Sequence, residues 1–223
     1  MNIYTSIVVP VFNESQVIGG VLRELKQYKY GHVIVVDDGS TDDTERKVIK
    51  ERVITVTHSI NRGKGAAIKT GLEAAKKIES NIVVTFDGDG QHDPKDIQKM
   101  IKYIKKGYDI VLGSRFLSQQ NIPSYKRFLN YCANIMTYVL YGIWVTDSQS
   151  GLRAYSKKAL SFIDTKSDRY EFDTEVLRDI HRHHLQYKEI PIHVRYTLYS
   201  QQKKNRQDIG SAILTMGKLI LSS

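Results

Sequence analysis

IVVTFDGDGQHDP, residues 82–94, decides the architecture. Ile82-Val83-Val84-Thr85-Phe86 has the length and β-branched content of a buried strand. Asp87 and Asp89 then stand just past that strand's carboxyl end, where open α/β sheets bind their ligands. Gly88 and Gly90 keep the turn small and let a ligand approach the backbone. Two carboxylates two residues apart, with the amide oxygen of Gln91 beside them, form a set of hard oxygen donors. Such a set suits Mg²⁺ or Mn²⁺ and, through the metal, a diphosphate. Asp93 and Pro94 have a plainer reading as N-cap and first residue of the next helix. That reading leaves Asp87, Asp89 and Gln91 unexplained.

Working outward, the same unit recurs across the first 115 residues. Strands are predicted at Ser6–Phe12, Val33–Val36, Val53–Thr57, Ile82–Phe86 and from Asp109 to Gly113. Helical spacing links Val17, Ile18, Val21, Leu22 and Leu25. It links Ile68, Leu72, Ala75 and Ile78, and again Ile97, Ile101 and Ile104, while Thr44–Lys50 makes a short helix. Continuous Val/Ile runs indicate strands buried on both faces. Strict β-α-β alternation implies an α/β fold, with a mostly parallel central sheet flanked by helices and a Rossmann-like nucleotide-binding half. Five polar loops then share one edge: 10–14, 37–42, 61–65, the 87–91 turn and Gly113-Ser114-Arg115. There is neither a GxxxxGK[ST] nor a GxGxxG signature.

Beyond Arg115 the rhythm breaks. Phe128 to Thr146 carries no charge and reads as a buried or membrane-interface helix, with Asn130, Asn134, Thr137, Tyr131, Tyr138, Tyr141 and Trp144 as its polar handles. A helix follows around Glu171 to His184, then an extended segment from Glu189 to Val194. Residues 209–221 are amphipathic.

The chain has 223 residues, 41% hydrophobic and 26% charged, with net charge +9 and pI near 9.4. That length suits one large domain. The basic balance points to anionic partners. Nucleic acid is not expected, because the lysines spread over helices without a stripe of interleaved aromatics. Cys132 alone excludes an internal disulfide and a cysteine-based zinc site, and its apolar surroundings predict a core position. No secretory signal pattern and no run of about 20 apolar residues is present.

VVPVFNE (8–14), VVDDGSTDDT (35–44), NRGKGAAIKTG (61–71), DGDGQHDP (87–94), GSR (113–115) and SGLRAY (150–155) together resemble glycosyltransferase family 2. These are inverting, metal-dependent enzymes of GT-A fold that use nucleotide-sugars. SGLR, Phe172 and Glu175 in YEFDTE, and IPIHVRY (190–196) resemble the dolichyl- and polyprenyl-phosphate sugar transferases within it. The resemblance implies one GT-A domain over 1–223. Residues 1–115 would bind the nucleotide-sugar, 116–208 the acceptor, and 209–223 would form an amphipathic C-terminal segment.

It also implies roles. Pro10, Phe12, Glu14 and Asp38 would hold base and ribose, with Asp37 next in order, and Lys64 would approach a phosphate or base. Asp87 would hold ribose or share the metal, and Asp89 and Gln91 would ligate it. Arg115 and Arg127 would bind the acceptor phosphate, and Glu175 would lie under the sugar or order the acceptor side. Arg195, Lys203 and Lys204 would sit on a mobile loop closing over the diphosphate. A phosphate acceptor needs no general base; for a hydroxyl acceptor Asp173 or Asp147 would serve. The donor is expected to carry GDP or UDP, and the acceptor to be a polyprenyl phosphate at the cytoplasmic membrane face. Many relatives continue into C-terminal transmembrane helices. A sequence stopping at Ser223 is therefore expected to be monotopic, truncated, or dependent on a membrane-protein partner or a second copy. The stretch YSQQKKNRQD (199–208) departs from the glycine and serine-lysine pattern of the lipid-phosphate subgroup.

Overall fold

The computed structural model describes residues 4–118, 122–165, 167–168, 171–195 and 199, without the side chains of Lys126 and Glu171. Seven strands form one sheet in the order β3-β2-β1-β4-β6-β5-β7. They are β1 (Thr5–Val11), β2 (His32–Asp37), β3 (Ile54–Thr57), β4 (Ile82–Thr85), β5 (Ile110–Ser114), β6 (Arg153–Ser156) and β7 (Tyr187–Pro191). The β1–β2, β1–β4, β2–β3 and β5–β7 pairs are parallel; β6 runs antiparallel between β4 and β5. The first five strands therefore point the same way, and their loops share one edge.

Alternate residues of the central strands feed opposite layers, which is why β1, β2, β4 and β5 are buried on both faces, whereas β3, at the sheet edge, has no buried residue. Ile7 and Val9 of β1 join α1 (Ile18–Gln27), α2 (Thr44–Lys50) and α4 (Pro94–Lys105) in one core. Val8 of β1 joins α3 (Lys64–Lys77), α6 (Lys157–Phe162) and α7 (Glu171–Arg182) in the other. Asp93 caps α4 as its spacing predicts: its carboxylate accepts the Lys95 N–H at 2.9 Å, and Pro94 opens the helix.

The uncharged helix is displaced from its predicted span. α5 runs over Ser124–Tyr141, four residues earlier at its start, and ends at Gly142 in the left-handed region (φ 68°). A left-handed residue stops the helical hydrogen-bond ladder, and glycine adopts it without steric penalty. Residues 143–146 are consequently not helical. Cys132, expected in the core, is only half-buried on α5. Among the described residues no helix is long and apolar enough to cross a membrane.

Candidate active site

The β1–α1 and β2–α2 loops are stitched together. The Asn13 N–H donates to Ser40 Oγ (2.9 Å), the Thr41 N–H to Asn13 Oδ1 (2.8 Å) and the Glu14 N–H to Thr44 Oγ1 (2.8 Å). Asn13 takes a positive φ of 53° to do so, a conformation asparagine tolerates. Pro10 and Phe12 flank this seam, with Phe12 exposed. Glu14 is buried, and its Oε2 accepts the Tyr199 hydroxyl at 2.7 Å. Burial and that hydrogen bond push the Tyr199 phenol above its ordinary pKa.

Asp37 and Asp38 differ sharply. Both oxygens of Asp38 are consumed: Oδ1 accepts the Arg62 N–H (3.0 Å) and lies 2.7 Å from His58 Nδ1, and Oδ2 accepts the Gly63 N–H (2.7 Å). His58 is in turn 2.9 Å from Thr70 Oγ1. Asp38 thus anchors the 61–63 loop through both of its oxygens. Asp37 accepts the Ser40 N–H through Oδ1 (2.9 Å), and its buried Oδ2 has no hydrogen-bond partner among the described residues.

The 61–63 loop sets Lys64 at the start of α3, with Nζ 2.6 Å from Asp87 Oδ1. His92 Nε2 lies 3.2 Å from Asp87 Oδ2. Burial pushes the Asp87 carboxyl up, but Lys64 and His92 outweigh it and hold it far below the ordinary carboxylate range. Burial likewise disfavours the Lys64 ammonium, and Asp87, Asp173 and Asp89 more than restore it, so its pKa is raised. Gly151 lets this pair lie close against the backbone. A Cβ there would sit 2.6 Å from Lys64 Nζ and 2.9 Å from both Asp87 oxygens.

Asp89 accepts the Gln91 N–H (3.0 Å) and the Gln91 Nε2 amide (2.6 Å). Gln91 therefore turns its amide nitrogen, not its oxygen, toward Asp89. No group of three or more His, Cys, Asp or Glu that could hold a metal occurs among the described residues. The donor set is two carboxylates of one turn, Asp87 already balanced by Lys64 and Asp89 held, among the described residues, by the two neutral N–H donors of Gln91. That set fits a hard divalent cation that takes its other oxygens from a bound diphosphate.

After β5, Arg115 forks onto Asp147: Nε to Oδ2 and Nη2 to Oδ1, both 2.7 Å, with the Arg115 N–H on Oδ2 at 3.0 Å. The Asp147 side chain is fully buried and that of Arg115 is 30% exposed. Arg127 lies exposed on the first turn of α5. Glu175 is buried and binds Ser167 through the backbone N–H (3.0 Å) and the hydroxyl (2.7 Å). It thereby orders a loop whose Asp168 carbonyl accepts the Ala66 N–H near the start of α3.

Arg195, expected on a loop closing over the diphosphate, is held by acidic side chains. Its guanidinium grips Glu24 at 2.8 Å through two nitrogens and Asp93 at 3.1 Å, and its N–H donates to the Gln91 carbonyl at 2.7 Å. With the His92–Val194 bridge, it straps the chain after β7 onto the 91–93 turn. Lys203, Lys204 and the 209–223 segment lie outside the described residues.

Sequence reasoning gave no role to Arg153, His58, His92 or Tyr199. Arg153 is 1% exposed and donates to the carbonyls of Ser150, Asp173 and Ser148 at 2.9, 2.7 and 3.0 Å. It holds Asp173 beneath the site; burial raises the Asp173 carboxyl, against the pull of Arg153 and Lys64. SGLR contained the signal, since an arginine inside an apolar strand must bring its acceptors with it.

The model of glycosyl transferase family 2 matches residues 6–163. A protein of unassigned function from Methanocaldococcus jannaschii is 44% identical over 214 residues, 93% of this chain and 88% of that one. The UDP-N-acetylglucosamine–dolichyl-phosphate N-acetylglucosaminyltransferase of Methanococcus voltae is 36% identical, with 96% and 97% covered. Glucosyl-3-phosphoglycerate synthase from Mycobacterium tuberculosis, solved with Mn²⁺ and UDP, superposes with a TM-score of 0.68 at 21% identity over 96% of this chain and 79% of that one. The last likeness bears on the fold alone, and the fold is GT-A. Five loaded loops on one edge, the DGDGQ turn and these matches place the chain in one family: it belongs to glycosyl transferase family 2.

Proposed function

We propose that this protein transfers a hexose, with inversion, from a UDP- or GDP-linked donor to a polyprenyl or dolichyl phosphate, with Mg²⁺ or Mn²⁺, at the cytoplasmic face of a membrane. The observation that carries this reading is the pairing of an anionic turn after β4 with a clamped arginine after β5. Only β6 separates these strands, so their ends lie about 10 Å apart. A sugar and a phosphate fit across that span. The relative from Methanococcus voltae, named for transfer to dolichyl phosphate, supports the acceptor class.

Asp37 and the seam at Asn13 and Glu14 would receive the nucleoside, and Asp89 with Asp87 would hold the cation. The bound cation supplies Lewis-acid offset of the charge that develops on the diphosphate leaving group. Lys64 keeps Asp87 ionised. An acceptor phosphate is already anionic at neutral pH and needs no proton removed before attack. Its approach to an anionic donor costs roughly several kcal/mol at partly buried separations, which Arg115 and Arg127 offset.

Membrane contact follows from α5, whose outer face is apolar. Phe128 and Val139 are 66% and 75% exposed, beside exposed Tyr125, Leu129, Tyr131, Ile135 and Tyr138. Trp144 sits 6.1 Å from the rings of both Tyr131 and Tyr138. An exposed apolar face with amphipathic aromatics suits the headgroup boundary. Tyr141, expected in that face, packs against the core instead.

A hydroxyl acceptor is the second reading. Asp147 is committed to Arg115; the buried Asp173 Oδ1 has no hydrogen-bond partner among the described residues, lies 3.5 Å from Arg153 Nη2, and belongs to a carboxyl that burial raises, which makes Asp173 the better candidate base. Assays of UDP-N-acetylglucosamine and GDP-mannose with Mn²⁺, offering either polyprenyl phosphate or the matching polyprenol, separate the two. Sugar transfer to the phosphate alone is expected; transfer to the polyprenol alone overturns the phosphate reading.

A further inference from the structure

We propose that Asn130 and Asn134 are positioning residues for the acceptor phosphate, acting through Asp147 on Arg115; this rests on the acceptor role of Arg115 proposed above. α5 is built inside out. An ordinary surface helix buries its apolar stripe. Here the buried stripe is Asn130, Asn134 and Thr137, at 6%, 3% and 2% exposure, while Phe128, Leu129, Ile135 and Val139 face outward. Buried amides cost stability unless they are bonded, and leucines there would pack the helix more simply. Their partners explain them.

Asn130 Nδ2 and Asn134 Nδ2 both donate to the Thr146 carbonyl, at 2.7 and 3.0 Å. Asn134 Oδ1 accepts the Ser148 N–H at 3.1 Å. Asn134 therefore brackets Asp147 from both sides in sequence. Across the loop, Glu189 Oε1 accepts the Thr146 N–H and hydroxyl at 2.9 and 2.8 Å. Thr146 Oγ1 also meets Ser114 Oγ at 2.7 Å, next to Arg115 in the chain. Every route from this cluster ends on the segment that holds Arg115 by three nitrogen atoms. Asn130 Oδ1 has no hydrogen-bond partner among the described residues, so the residue is there for its donor.

Arginine is a long side chain with several rotamers, and fixing it before the acceptor arrives removes that entropy from the binding step. The loop geometry is thus set from α5, whose other face is the one proposed to meet the bilayer.

The test is a double-substitution cycle on the full chain: Asn134→Leu, Arg115→Ala, and both together. Each is assayed for kcat/KM toward polyprenyl phosphate, donor KM and thermal unfolding. Asn134→Leu is expected to lower acceptor kcat/KM about 10- to 100-fold, to leave donor KM unchanged, and to have no further effect once Arg115 is alanine. A similar additional loss in the Arg115→Ala background would show that Asn134 does not act through Arg115 and would overturn the proposal. Donor and acceptor parameters falling together would also overturn it. If Arg115→Ala leaves acceptor use intact while donor use falls, the acceptor assignment fails instead, and this inference with it. Should Asn134→Leu not fold, Asn130→Leu, which removes one hydrogen bond, carries the same cycle. Thr137→Val is the control. Among the described residues the Thr137 hydroxyl bonds the Ala133 carbonyl of its own helix (2.9 Å), so acceptor kinetics should not change; an equal loss there would assign the effect to helix packing.

Discussion

Asp37 and Asp38 are neighbours of one residue type, and only the folded chain separates them. Sequence spacing puts both after a strand; it does not say whose oxygens the backbone consumes. Asp38 spends both oxygens on two N–H groups and His58, so Asp38→Ala should lower stability by about 2 kcal/mol. Asp37→Asn should weaken nucleotide affinity with little change in melting temperature. Calorimetric titration with UDP and GDP beside thermal unfolding decides this; equal effects of the two substitutions would erase the distinction. Asp89→Ala should reduce transfer by at least about a hundredfold and leave the melting temperature nearly unchanged, because its partner is a neighbouring glutamine on the same turn. Full activity in excess chelator would refute a role for the cation. The Asp93 cap was legible because it depends on local spacing. His92, His58 and Tyr199 were not, since their partners lie 5, 20 and 185 residues away in sequence.

Elements were legible where periodicity was strong and local. The first five strands and α2 fall within a residue or two of their predicted spans, because Val/Ile-rich runs have few alternatives. β6 escaped the reading. SGLRAY has too little β-branched content, and an antiparallel strand inserted between β4 and β5 is set by long-range pairing, not by local pattern. α5 escaped in another way: its inner face is amide and hydroxyl, so a search for one apolar stripe misplaces both ends and the orientation. That orientation has a measurable consequence. Phe128→Ser and Val139→Ser remove apolar surface already exposed to water, so stability should change by no more than about 0.5 kcal/mol. Co-sedimentation with anionic liposomes should fall in both variants, and further in the double variant. Binding equal to that of the unsubstituted protein would separate α5 from the membrane and leave the face without an assigned partner.

Across the whole molecule, the sheet edge gathers charge whose ionisation is coupled to folding. Asp87, Asp42, Asp93 and Asp168 are held below their ordinary pKa, and Asp173 and Glu189 above it, the last two chiefly by burial. A depressed carboxylate stabilises the fold above its unfolded pKa, about 3.9 for aspartate, and that contribution is lost as pH falls through the folded value. A raised carboxyl does the reverse: it binds its proton more readily in the folded state, so its contribution grows as pH falls through its folded pKa. Above the unfolded aspartate value the raised set alone titrates, so stability should rise slightly as pH falls toward it. Below about pH 4 the depressed set alone remains, and stability should fall steeply. Asp87 is the most strongly depressed of that set and sits against Lys64, whose charge persists throughout the range. Asp87→Asn should therefore be less stable than the natural protein at pH 7, where Lys64 loses its partner, and should lose less on further acidification. Urea unfolding at pH 7, 5 and 3 measures both slopes. Parallel curves for the two proteins would mean that the Lys64–Asp87 pair does not govern the acid limb and that the remaining aspartates carry it.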